Sequence, residues 1–205
     1  MLWRLNKRGM AAGIAASAML IGLSGCLPRY DAAGEAKAYE TAPICCRSPA
    51  EFPFEPLWSR LITTGDDIDA DSPFFEFADG KSPFRAYALP DGQGPLRLRV
   101  QSAYLPNPWH ETRALLPLVT SLDRDKRVIG TTPHTAIEFG RDGPYVDINV
   151  GGPAEGTRYI VVHTAPFLTD SPFTRPSIPN TRINLSGDPF AGQGSYFGRV
   201  TILKR

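Results

Sequence analysis

The 205-residue chain is 42% hydrophobic and 21% charged, enough apolar material for one packed domain and too much for a disordered chain. Its 20 prolines and 19 glycines argue against long helices, because proline removes a helix hydrogen bond and clashes with the preceding turn. A formal net charge of +1, without an acidic or basic block, gives no sign of a nucleic-acid surface, and three cysteines are too few for a disulfide scaffold.

Arg4, Lys7 and Arg8 open the chain with no acid among them, and residues 9–22 follow as a small, apolar run. A membrane span needs about 20 apolar residues, so this shorter run reads as a secretory signal. It ends at Leu23-Ser24-Gly25-Cys26, which resembles the bacterial lipobox. That resemblance implies removal of residues 1–25 and a lipid-bearing Cys26 at the new N-terminus, holding the protein to a membrane without spanning it. Leu27, rather than an aspartate, follows the cysteine, and by resemblance to enterobacterial sorting this favours the periplasmic side of the outer membrane. Loss of the signal leaves 19 basic and 21 acidic residues, a slightly acidic body. Residues 26–43, with few large apolar side chains, read as a lipidated N-terminus and flexible tether; a short helix over Ala32–Tyr39 stays open, though it would lack an apolar face.

Residues 44–205 read as one all-β domain, an antiparallel sandwich. Strands are expected at 74–77 and 84–89 on either side of an Asp79-Gly80 turn, and at 96–101, the clearest apolar/polar alternation in the chain. Further strands are expected at 115–122, 128–132, 135–139, 145–150, 158–163 and 195–203, at short spacing with turn residues between them. The word Ser/Asp-Pro-Phe recurs at Phe74, Phe84, Phe173 and Phe190. Its simplest role is a turn residue, a fixed φ and a core-filling ring at the strand entry. Residues 164–194 hold five prolines and read as a long irregular loop.

Several segments, in order, resemble the maltose operon periplasmic protein family. They are Ile44-Cys45-Cys46 with Glu51-Phe52-Pro53-Phe54 and Pro56-Leu57; Asp67-Ile68-Asp69 with Ser72-Pro73-Phe74-Phe75-Glu76-Phe77; and Leu116-Pro117-Leu118-Val119-Thr120-Ser121-Leu122-Asp123. Ser177-Ile178-Pro179 and Tyr196-Phe197-Gly198-Arg199-Val200 also fit, while residues 180–194 depart from the pattern. The resemblance implies a jelly-roll-like sandwich in the envelope. It also implies an accessory, non-enzymatic role in maltodextrin-type carbohydrate transport, by weak sugar binding or by contact with a protein such as a porin.

Sugars are usually held by exposed aromatics beside polar groups. Trp109, in the proline-held loop Leu105-Pro106-Asn107-Pro108-Trp109-His110, and Tyr104 just before it are the candidate stacking residues. Trp58 is expected in the core. No cofactor is expected: His110, His134 and His163 are not at metal-ligand spacing, and no dinucleotide or nucleophile motif is present. His163 is expected as a structural histidine within a strand. Asp66, Asp67, Asp69 and Asp71 cluster, but Ser72 and Ala78 replace the glycine and glutamate of a calcium loop, so a solvated acidic turn is expected. Glu138 and Asp147, on neighbouring expected strands, are too little to mark a hydrolase. Cys45 and Cys46 are the thiols left beside a lipidated Cys26, in an oxidising compartment. Adjacent Cα atoms lie about 3.8 Å apart, short of the usual disulfide range, so a bridge between them would be strained. A vicinal disulfide, two buried free thiols and an intermolecular bridge all stay open.

Overall fold

A computed structural model describes residues 32–57, 65–91, 94–104, 112–150, 156–169, 172–174 and 191–205. Cys26, Trp58, Trp109 and residues 175–190 lie outside these. In chain order the elements begin with α1 (Ala32–Thr41), β1 (Phe54–Pro56), β2 (Asp66–Ile68), β3 (Phe74–Phe77), β4 (Gly80–Ala88) and β5 (Leu96–Ser102). There follow β6 (Thr112–Leu115), β7 (Leu118–Leu122), β8 (Val128–Thr131), β9 (Glu138–Phe139), β10 (Pro144–Val150) and β11 (Tyr159–His163). The last are α2 (Pro166–Thr169), β12 (Pro172–Thr174), β13 (Ala191–Ser195) and β14 (Gly198–Lys204).

The strands form an all-β sandwich. One sheet runs β1-β4-β11-β7-β8 with β3 paired to β4, and the other runs β2-β14-β5-β10-β9. A small third sheet is ordered β12-β13-β6. Pairing is mostly antiparallel, but β1 joins β4 and β13 joins β6 in parallel. The alternation of Leu96, Leu98 and Val100 on β5 puts all three on one face. They pack with Val146, Ile148 and Val150 of β10 and with Val119, Ile160 and Val162 of the opposite sheet, forming the central core.

The first sheet also has a covered outer face. Phe52, Phe84, Leu122 and Val161 form a second cluster there, with Phe54, Phe75, Phe77 and Tyr159 packed on it. Phe74 and Phe84 are both buried, as the Pro-Phe strand entries lead one to expect. Pro117 interrupts the single strand expected at 115–122, leaving β6 and β7 in different sheets. The expected strand at 135–139 is shortened by a 3-10 turn at His134–Ala136. Gly143 lies so close to the start of the loop after β5 that an added Cβ would sit 1.6 Å from the Ser102 carbonyl oxygen.

The expected tether is the largest correction. Residues 32–41 form α1, and Asp31–Arg205 is one compact unit. The helix indeed lacks an apolar stripe, and polar groups dock it instead. Glu35 is buried, and its Oε1 accepts hydrogen bonds from Ser195 Oγ at 2.5 Å, Tyr196 N at 2.6 Å and Phe197 N at 3.0 Å. Tyr39 stacks on Tyr196 with ring centroids 3.9 Å apart, and its hydroxyl donates to the Lys81 carbonyl. Lys81 Nζ returns hydrogen bonds to the carbonyls of Tyr39 and Glu40.

Candidate functional site

The charged turn after β7 sets the direction of β8. Asp123 Oδ1 accepts from Arg127 N at 2.8 Å, and Lys126 takes a left-handed φ of 61° to close the turn. The chain then runs back along β7, with Thr120 opposite Thr131 and Ser121 opposite Gly130, and a register shift at Ser121/Leu122. β8 ends this sheet. Across the sandwich, β10 pairs with β5 along its length but with β9 only at Pro144 and Tyr145. Among the described residues, the edge of β10 beyond Tyr145 therefore has no strand beside it.

Between these two edges lies a cleft of about 600 Å3, open to solvent. Ser121, Thr131, Thr132, Thr157, Asn149 and Asp147 supply its polar lining, and Val119, Ile129, Ile148, Pro133 and Ala136 its apolar lining. The volume lies within the range of small-ligand sites. Asp147 is the charged residue of this lining, and its carboxylate is engaged. Arg99 binds it through two nitrogens at 2.7 and 2.9 Å, and Arg97 adds a third contact at 3.1 Å. The Arg99 hydrogen bond, with its charge, holds the Asp147 carboxyl below the usual carboxylate range. The Arg99 guanidinium also lies 3.5 Å from the centre of the Tyr145 ring, whose hydroxyl donates to Glu138. Glu138 and Asp147, weighed above as a pair of acids, are thus each tied to a different partner.

His163 is fully buried on the outer face of the first sheet, its ring stacked 3.9 Å from that of Phe77. Nδ1 is 2.9 Å from the Thr164 carbonyl oxygen, which only accepts, so Nδ1 carries the proton. Nε2 then accepts from the Thr120 hydroxyl at 2.9 Å, and Thr120 in turn accepts from Thr131 at 2.8 Å. Burial pushes the imidazole down to about 4, against smaller opposite effects from the Thr164 carbonyl and Asp79. This is the structural histidine expected.

The acidic cluster is dispersed by the fold. Asp66 and Asp67 lie in β2, where Asp66 accepts from the Tyr87 hydroxyl at 2.8 Å and Asp67 pairs with Arg199 at 2.9 Å. Asp69 caps the following turn through Asp71 N and Ser72 Oγ. The solvated acidic turn expected here is found at Asp69 and Asp71, whereas Asp66 and Asp67 belong to a strand. Among the described residues no group of three or more His, Cys, Asp or Glu is placed to hold a metal ion.

Tyr104, one of the two candidate sugar-stacking residues, packs against the cluster around Leu116 and Leu118 and donates to the Gly140 carbonyl at 3.1 Å. Trp109 lies outside the described residues. The structure joins Cys45 and Cys46 in a vicinal disulfide, with Cα atoms 3.8 Å apart and Cys45 exposed. Cys45 N donates to the Phe74 carbonyl, so the bridge is tied to β3 shortly after the chain leaves α1.

Neither the cleft nor the Glu35 contact is marked by a motif. The cleft is built from common hydroxyl residues on separate strands, and Glu35 meets partners about 160 positions away. The protein is thus a layered β-sandwich with an open-sided cleft between two sheet edges. Compared with known proteins, the chain matches no family model, no curated protein and no solved structure.

Proposed function

We propose that this chain is a lipid-anchored protein on the periplasmic side of the bacterial outer membrane, accessory to the uptake of maltodextrin-type carbohydrate and acting by binding without turnover. The observation that carries this reading is Leu23-Ser24-Gly25-Cys26 at the end of a charged-then-apolar start. The ordered resemblance to the maltose operon periplasmic proteins supplies the link to sugar. The hydroxyl, amide and carboxylate groups around the cleft are of the kind that bind sugar hydroxyls. The test has two arms. Labelled palmitate should enter the protein in cells and be lost in Cys26→Ser, with the variant leaving the outer-membrane fraction. Calorimetry of the soluble body with maltodextrins should give heat. A flat titration removes the sugar, and an unlabelled wild type removes the anchor.

A second reading, an envelope adaptor that binds a protein partner such as a porin, is favoured by one observation. Val128 and Ile129, at the edge strand β8, are 57% and 49% exposed. Crosslinking in cells should capture an envelope protein if this reading holds.

A further inference from the structure

Sheet edges expose unpaired backbone groups, and proteins guard them with charge or proline, and also by bulges and short strands. Five described edge strands of the three sheets do so here. β1 carries Glu55 and Pro56, β2 carries Asp66 and Asp67, and β9 carries Glu138. β12 begins at Pro172, and β6 carries Arg113. β8, Val128-Ile129-Gly130-Thr131, has neither a charge nor a proline, and all four of its residues are exposed. Its one guard is the bulge-like register shift at its start, opposite Ser121 and Leu122.

The backbone of β8 is also oriented for pairing. Thr132 N donates to the Val119 carbonyl at 2.9 Å, so by the alternation of an antiparallel ladder the N–H and C=O of Thr131 point away from β7. The open edge of β10 lines the same cleft. From strand spacing (about 3.3 Å along the chain, 4.8 Å between strands and 10 Å between sheets) one strand residue fills about 160 Å3. The cleft of about 600 Å3 then takes about four residues, the length of β8.

The lining chooses the chemistry. Among the described residues, no aromatic and no basic side chain lines the cleft, and the one acid there is held by Arg97 and Arg99. That suits a neutral strand of small apolar and hydroxyl residues better than a sugar ring that needs an aromatic platform. We infer that the cleft is a strand-docking groove, in which an extended, uncharged segment of a partner protein pairs its backbone with the outer edge of β8. The inference rests on the adaptor reading and names what the partner presents. It is independent of the lipid anchor.

The test uses the soluble body and a capped peptide of about seven alternating threonine and valine residues with a lysine at each end. Hydrogen exchange at the amide of Thr131 should be fast in the free protein and slow at least about tenfold with saturating peptide. Thr131→Pro, which removes an outward donor, and Ile129→Lys, which adds the missing charge, should each weaken binding at least about tenfold while remaining folded by circular dichroism. The same peptide N-methylated at alternate residues should not bind. No binding by the wild type, equal binding by the N-methylated peptide, or slow exchange already in the free protein would overturn the inference. So would protection of this amide by maltoheptaose but not by peptide, which assigns the cleft to sugar. A wild-type dimer in sedimentation that Ile129→Lys abolishes would assign it to a second copy. If crosslinking captures an envelope protein while the peptide arms fail, the adaptor reading stands and the groove falls.

Discussion

His163 keeps its ring neutral at the cost of acid tolerance. An unfolded histidine takes up its proton near pH 6.5, whereas the buried ring does so only near 4. Its contribution to stability is therefore complete above pH 6.5 and is lost as pH falls from there to about 4, where both states are protonated. The slope of about 1.4 kcal/mol per pH unit makes the loss at pH 5 about 2 kcal/mol. Urea unfolding at pH 7 and pH 5 checks this, and NMR of the imidazole should show no titration above pH 5. A ring that titrates near pH 6.5 in the folded protein would refute the assignment. The same side chain fixes the direction of the hydrogen bonds from Thr131 through Thr120, because a neutral Nε2 only accepts.

At the scale of elements, α1 is a helix docked by one carboxylate and one tyrosine. Glu35→Ala leaves Ser195 Oγ and the Tyr196 and Phe197 amides without their acceptor, a loss of about 2 kcal/mol. Glu35→Gln keeps an acceptor oxygen and should lose less. Trypsin cleavage after Lys37 should quicken in the alanine variant and little in the glutamine variant. Equal resistance in all three would show that Glu35 does not hold the helix. The strands were legible because their signal is local. The alternation at Leu96-Arg97-Leu98-Arg99-Val100-Gln101 marks β5, and the turn at Asp79-Gly80 marks the β3–β4 hairpin. α1 was not legible as a docked element, because its alanine-rich residues carry no stripe and its partners are remote, Lys81 in β4 and Ser195–Phe197 at the far end of the chain. β8 was legible as a strand, but the place of Val128 and Ile129 in the sandwich was not. Only the strand order shows that they lie at an edge.

For the whole molecule, stability rests on the two aromatic and aliphatic layers around the first sheet and little on the disulfide. A bridge between neighbouring residues closes no chain loop, so it removes almost no freedom from the unfolded ensemble. Reduction should move the melting temperature by less than about 2 °C. Mass spectrometry should find two alkyl groups on Cys45 and Cys46 only after reductant; labelling without it would show free thiols.

The Glu35 contact has a further meaning when viewed in time. The helix is made early and the Ser195–Phe197 turn that receives it nearly last, with 160 positions between Glu35 and Ser195. No part of that socket exists until the final strands emerge, and closing so long a loop is entropically favourable only once the sheets have brought its ends together. The Glu35 contact therefore waits through synthesis, although Lys81 of β4 is available to Tyr39 much earlier, and the closing of the Glu35 latch is a late event in folding that reports that the sandwich behind it is complete.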